Sequence, residues 1–159
     1  MVKKNAIILL AGEGGHFEQA KRLFYYLGLD NKSEVFVYTD YLNKEIHESL
    51  KYESLGALRD KNGLSLVGAF SYFLKSFRTT LSYCFKYKVS VISTGPGISI
   101  IPSLVVKLFG GRVIHIETWS RFYSSSATGK IMYLIADKFY IQNKELLAVY
   151  PKGIYAGRL

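Results

Sequence analysis

A chain of 159 residues can build one domain with its own core but cannot hold two nucleotide-binding domains. Its 49% apolar content excludes a disordered chain, and 21 Lys and Arg against 12 Asp and Glu leave a net charge of +9, which asks for an anionic partner such as a phosphate, an acidic membrane surface or nucleic acid. The single cysteine, Cys84, excludes an internal disulfide and a cysteine-built zinc site, and fits a reducing compartment.

In chain order, apolar strands are predicted over 5–11, 34–39, 89–93, 112–116 and 137–142, with a further short strand within 50–58. Helices are predicted over 16–28, 43–50, 65–87, 98–109, 127–136 and 143–149, and Arg59 to Gly63 reads as a loop. The alternation implies an α/β fold, a Rossmann-like parallel sheet with helices on both faces, as a single domain over 1–159. With the strand order 3-2-1-4-5, the first and fourth strands are neighbours at the switch point where such sheets bind ligands. No stretch of about 18 uncharged apolar residues marks a membrane span, and Met1 to Lys4 lead into an apolar run too short for a secretory signal.

Both of those strands end in glycines. Ala6 to Ala11 run into Gly12-Glu13-Gly14-Gly15-His16, and Val89 to Ser93 run into Thr94-Gly95-Pro96-Gly97. A strand that turns through glycine into a helix leaves free backbone N–H groups for an anion, usually a phosphate. Gly12, Gly14, Gly15, Thr94, Gly95 and Gly97 are therefore candidate phosphate-binding residues, with both turns expected on one crevice. His16 opens the first helix, where the dipole favours a neutral ring able to act as a base; a surface or capping histidine is the plainer alternative. Glu18 and Gln19 suit the helix dipole without a functional role.

Glu117 lies just past a strand end and is placed to take a proton from a sugar hydroxyl or fix that hydroxyl. His115, facing away from Ile114 and Ile116, reads as structural. Trp119 and Arg121 begin a polar loop, 118–128, placed to close over a ligand with Arg121 on a phosphate.

The segment 64–88 carries Phe70, Leu74, Phe77, Leu81 and Cys84 at helical spacing, widened by Tyr72, Phe73, Tyr83 and Phe85, with Lys75, Arg78, Lys86 and Lys88 adding charge. One reading is a crossover helix packed on the sheet. The other adds a membrane or partner contact through Phe70, Phe73, Phe77, Lys75 and Arg78.

Other chemistries fit less well. The dinucleotide fingerprint needs glycine at 17, where Phe17 stands, although Asp40 occupies the place of its ribose-binding acid. Gly129-Lys130 follows no strand and is no phosphate loop of the Walker type. No Gly-x-Ser-x-Gly elbow and no nucleic-acid module appear. His16, His47 and His115 are not spaced as metal ligands, so no metal is expected.

Taken in order and spacing, Gly12 to His16, Ser93 to Gly97, Ile116 to Arg121, Thr128-Gly129-Lys130, Ile135 to Phe139, Gln142, Tyr150-Pro151-Lys152 and Gly157-Arg158-Leu159 resemble the PssD/CpsF family of capsule and exopolysaccharide synthesis. The chain is also similar to the family of the membrane-anchoring subunit of the eukaryotic transferase that adds the second N-acetylglucosamine to dolichol diphosphate. The resemblance implies the N-terminal, acceptor-side half of a GT-B glycosyltransferase. It further implies a separate PssE/CpsG-like partner that binds the UDP-sugar donor, a polyprenyl-diphosphate-linked sugar as acceptor, and no cofactor. A place at the cytoplasmic face of the membrane follows from the same likeness, without nucleic acid. Tyr155, Arg158 and Leu159, within 154–159, become partner-interface candidates, and His16 and Glu117 candidate catalytic residues. The first strand starts almost at Met1, which leaves no room for the eukaryotic N-terminal anchor. A non-catalytic scaffold for a partner transferase, and a nicotinamide oxidoreductase using Asp40, are the rival readings.

Overall fold

The computed structural model describes residues 3–29, 34–40, 45–55 and 66–159. Its elements are β1 (Lys4–Leu10), α1 (Gly15–Leu27), β2 (Glu34–Thr39), β3 (Lys51–Ser54), α2 (Leu66–Lys86), β4 (Tyr87–Ser93), α3 (Ile100–Leu108), β5 (Arg112–Ile116), α4 (Ala127–Ile135), β6 (Lys138–Ile141) and β7 (Ile154–Tyr155). The strands form one parallel sheet in the order β3-β2-β1-β4-β5-β6-β7. β1 and β4 are the central neighbours, so the expected switch point is present.

Each face of the sheet has its own core. Ile8, Leu10, Phe36, Val91, Val113 and Ile141 face α2, α3 and α4. Leu9, Val37, Ile92 and Ile116 face α1, where Phe17, Ala20, Leu23 and Phe24 meet them. That alternation is the period-two signature of strands covered on both sides.

Several expectations need correction. Residues 45–50 form turns in place of the helix predicted over 43–50, of which 43 and 44 lie outside the described residues. Here the Tyr52 hydroxyl accepts from the N–H groups of Ile46 and His47 at 2.6 and 3.0 Å, and Tyr25 donates to the Ile46 carbonyl at 3.0 Å, taking the backbone groups a helix would use. The strand within 50–58 is four residues long, and its last three predicted positions, like the loop at Arg59 to Gly63, lie outside the described residues. The helix at 98–109 is a 3-10 turn, Gly97–Ser99, followed by α3. That at 143–149 is only a 3-10 turn, Lys144–Ala148, because Asn143 spends its side chain on loop carbonyls and Pro151 closes the far end. The two-residue β7 has no periodicity to announce it.

The largest surprise is the orientation of α2. Tyr72, Ser76, Thr80 and Cys84, spaced by four, are buried against the sheet and α3. Phe70 (67% exposed), Phe73, Leu74, Phe77 and Phe85 point outward, with Phe73 and Phe77 stacked at 6.1 Å. Leu104, Leu108 and Phe109 of the neighbouring α3 region extend this exposed apolar surface. Of the stripe Phe70, Leu74, Phe77, Leu81 and Cys84, only Leu81 and Cys84 turn toward the core, where Ser76 and Thr80 are buried beside them and Tyr72 donates to the Ile98 carbonyl at 2.6 Å.

His115 is structural, as its strand position implied. It is fully buried, stacked on Phe139 at 5.0 Å, and its Nδ1 lies 3.1 Å from Ser93 Oγ. Burial, and to a lesser degree His16, push its pKa down from 6.5 to about 3. The folded ring therefore stays neutral at pH values where the unfolded chain binds the proton. Stability attributable to His115 is complete above about 6.5 and declines as the pH falls toward about 3, at no more than about 1.4 kcal/mol per pH unit. Urea unfolding at pH 7.5 and 5.0 should show a loss in the wild type that exceeds the loss in His115→Asn by up to about 2 kcal/mol; equal losses would show that His115 is charged in the fold.

Candidate functional site

The two glycine turns are clasped together. A Cβ at Gly12 would lie 2.4 Å from Pro96 Cβ, so the backbones touch only because residue 12 has no side chain. Thr94 Oγ1 donates to the carbonyls of Leu10 (3.2 Å) and His16 (2.9 Å), bridging β1, β4 and the start of α1. His16 Nδ1 lies 2.6 Å from the Thr94 carbonyl, which can only accept, so Nδ1 carries a proton. In the neutral ring this leaves Nε2 as the acceptor, the tautomer a general base needs.

The ring rests on Gly95, where a Cβ would sit 2.9 Å from its Cε1 and where φ is +104°. Both the space and the left-handed backbone require glycine there. Gly95 N–H is spoken for by Ser93 Oγ at 3.3 Å. At the first turn, Phe17 and Glu18 N–H groups return to the Gly14 carbonyl and no side chain caps α1.

In front of this clasp is a cleft of about 680 Å³, open to solvent. His16, Gly95, Gly97, Thr118 and Arg121 line it, with Ile98, Ile100 and Ile131 as an apolar wall and Glu13 and Asp40 on the acidic side. Burial, then Glu13, raises the Asp40 pKa above 3.8. Of the predicted phosphate-binding residues, Gly95, Gly97 and Arg121 line the cleft together with His16. Gly12 and Thr94 are buried behind it and build the clasp, and Gly14 and Gly15 are exposed at the start of α1, with Gly15 3.7 Å from Trp119 Nε1 when given a Cβ.

Glu117 is fully buried. Its carboxylate accepts from Ser126 Oγ (3.0 and 3.1 Å), Tyr150 Oη (2.7 Å) and the Thr118 N–H (3.0 Å). Ser126 Oγ in turn caps α4 by accepting from Gly129 N–H at 2.7 Å. A Cβ at Gly129 would lie 1.9 Å from Glu117 Oε2 and 2.4 Å from the Tyr150 hydroxyl, which explains the glycine of Thr128-Gly129-Lys130. Burial and the Glu117 carboxylate push the Tyr150 phenol well above the usual tyrosine range. With its oxygens so engaged, Glu117 holds the 118–126 loop and α4 to β5 and β6; it does not line the cleft.

Gln19, which suits the helix dipole in the first turn of α1, has a structural role the sequence does not announce. It is fully buried, as are Gln142 and Asn143 nearly so, and Asn143 Nδ2 donates to the carbonyls of Trp119 (3.0 Å) and Arg121. Polar residues at the C-terminal ends of β6 and in the first turn of α1 were the available signal. The exposed arc Phe70, Phe73, Phe77 with Lys75 and Arg78 lies on α2. Tyr155 stands on edge strand β7, Arg158 lies over Phe122 at 5.7 Å, and Leu159 packs on the α1-side core. An apolar groove of about 270 Å³ runs there between Leu23, Leu27, Ile114, Tyr140 and the tail.

Among solved structures, MurG of Acinetobacter baumannii superposes with a TM-score of 0.63 at 14% identity, and a UDP-N-acetylglucosamine 2-epimerase with 0.64 at 15%. The chain spans 44% and 45% of those two structures, and the shared feature is the Rossmann-like fold of GT-B type. The UDP-N-acetylglucosamine transferase subunit ALG14 of Kluyveromyces lactis is 26% identical, over 99% of this chain and 80% of its own length. That of Homo sapiens is 24% identical over 97% and 82%. Residues 7–159 match the family described as oligosaccharide biosynthesis protein Alg14 like. The match runs from the first strand through both glycine turns to the last residue, and the chain belongs to the Alg14-like family.

Proposed function

We propose that this chain is the acceptor-binding and membrane-recruiting subunit of a two-chain UDP-sugar glycosyltransferase acting on a polyprenyl-diphosphate-linked saccharide. The observation that carries the reading is the cleft in which His16, fixed at the Thr94 carbonyl, shares walls with Gly95, Gly97 and Arg121. The relatives named as UDP-N-acetylglucosamine transferase subunits support the reaction class. The capsule and exopolysaccharide setting of the PssD/CpsF resemblance, with a PssE/CpsG-like partner, is the specific form of the proposal.

In this scheme the acceptor diphosphate lies against the glycine turns and Arg121, where N–H dipoles and a guanidinium suit its charge. The acceptor hydroxyl donates to His16 Nε2. His16 takes that proton as the hydroxyl oxygen bonds to the anomeric carbon of the donor sugar and UDP departs with the bonding pair. The partner chain holds the UDP-sugar, and no metal or other cofactor enters the scheme.

The outward aromatic face of α2 provides the membrane contact, at the cytoplasmic side. Among the described residues no helix is long and apolar enough to cross a bilayer. Phe70, Phe73, Leu74 and Phe77, with Lys75 and Arg78 beside them, suit an anionic interface. The groove at Leu23, Leu27 and the 154–159 segment, including Tyr155, Arg158 and Leu159, is the proposed partner surface.

His16→Ala should lower kcat of the complex about a hundredfold or more while the complex still forms. Glu117→Gln should instead cost about 2 kcal/mol of stability, read by urea unfolding, with much of the turnover kept in the folded fraction. Unchanged turnover in His16→Ala would favour a scaffold over a catalytic subunit. Flotation with vesicles rich in anionic lipid should retain the wild type and lose the Phe70→Ser/Phe73→Ser/Phe77→Ser variant; equal retention would place the membrane contact elsewhere.

A further inference from the structure

Two buried amides connect the tail to the cleft. Leu159 N–H donates to Gln142 Oε1 at 2.9 Å. Gln142 Nε2 donates to Gln19 Oε1 at 2.5 Å and to the Glu117 carbonyl at 2.9 Å. Gln19 Nε2 donates to the Gly15 carbonyl at 3.2 Å and reaches Thr118 Oγ1 at 3.5 Å. Each amide thus uses both donor hydrogens and its acceptor. Reversing Gln142 would set its oxygen against two acceptors and its nitrogen against the Leu159 N–H. Reversing Gln19 would set oxygen against the Gly15 carbonyl and nitrogen against nitrogen. The network has one self-consistent orientation, in which the N–H of residue 159 is the donor that satisfies Gln142 Oε1.

The far ends of this relay adjoin the cleft: Gly15 precedes His16, which lines it, and Glu117 precedes Thr118, which lines it. A second strut runs beside it. Arg22 donates to the Leu159 carbonyl at 3.1 Å and lies over the Trp119 ring at 5.1 Å. We propose that Gln19 and Gln142 are positioning residues that tie the shape of the acceptor cleft to the seating of segment 156–159. A partner protein docking on that segment then sets the Trp119 loop and the Gly15 turn without touching either. The proposal rests on the reading of this cleft as the acceptor site and of the tail as partner surface.

Trp119 is the sole tryptophan of the chain, so its fluorescence reports on the loop alone. Leu159→Pro removes the N–H that feeds the relay together with the Leu159 side chain that packs on the α1-side core, so Leu159→Ala, which loses the packing but keeps the N–H, is its control; both leave the carbonyl for Arg22. In the isolated chain, acrylamide quenching of Trp119 should rise about twofold in Leu159→Pro over Leu159→Ala, each measured well below its own melting transition. Gln142→Met should give the same rise, and the double variant no more than either alone, because both changes cut one path. Quenching in Leu159→Pro no higher than in Leu159→Ala overturns the proposal, as does full additivity of the two changes. If Gln142→Met does not fold, the Leu159→Pro comparison alone decides. An assay of lipid-linked transfer with the partner chain tests the acceptor reading separately: absence of transfer by the wild-type complex would sink that reading while the quenching result stood.

Discussion

The structure depends on a contact with no side chain on one side of it. Gly12 meets Pro96, and this permits β1 and β4 to end at the same level with their turns in touch. Thr94 then bonds Leu10 and His16 across the junction, and His16 returns a ring bond to the Thr94 carbonyl. A larger residue at 12 would push the turns apart and break three hydrogen bonds at once. The cleft exists because a parallel sheet reverses its strand order here, and it is narrow enough to matter because glycine sits at 12 and 95.

Around that clasp the chain uses buried polar groups as fasteners. Glu117 gathers Ser126, Tyr150 and the Thr118 amide, fixing where α4 begins and where the 118–126 loop leaves the sheet. Asn143 holds the carbonyls of the same loop from below. Burying a carboxylate is costly unless its oxygens are met by donors, and here each is met. The result is a polar loop with a fixed base and an exposed rim, on which Arg121 borders the cleft.

The fold was legible because its signals are periodic: strands covered on both faces, two strand-glycine-helix turns, and a strand order that follows from handedness. The joint crevice was legible for the same reason. What escaped reading depended on distant partners. Glu117 looked like an acid at a ligand edge, since nothing local says that Tyr150 and Ser126 occupy it. Gln19 showed only its fit to the helix dipole, since its partner Gln142 lies 123 positions away. α2 carried an apolar stripe that any helix packed on a sheet would show, but Ser76 and Thr80 turned inward beside Tyr72, and Phe70, Phe73 and Phe77 outward. An apolar arc that faces away from the protein's own core suits the membrane contact proposed for α2.

The most direct test of one shared pocket is an NMR titration of the labelled chain with a short-chain, water-soluble prenyl-diphosphate saccharide. The account predicts that the amides of Gly14, Gly15 and His16 and those of Gly95 and Gly97 shift together along one saturation curve. Shifts confined to one turn, or centred away from both, would contradict it.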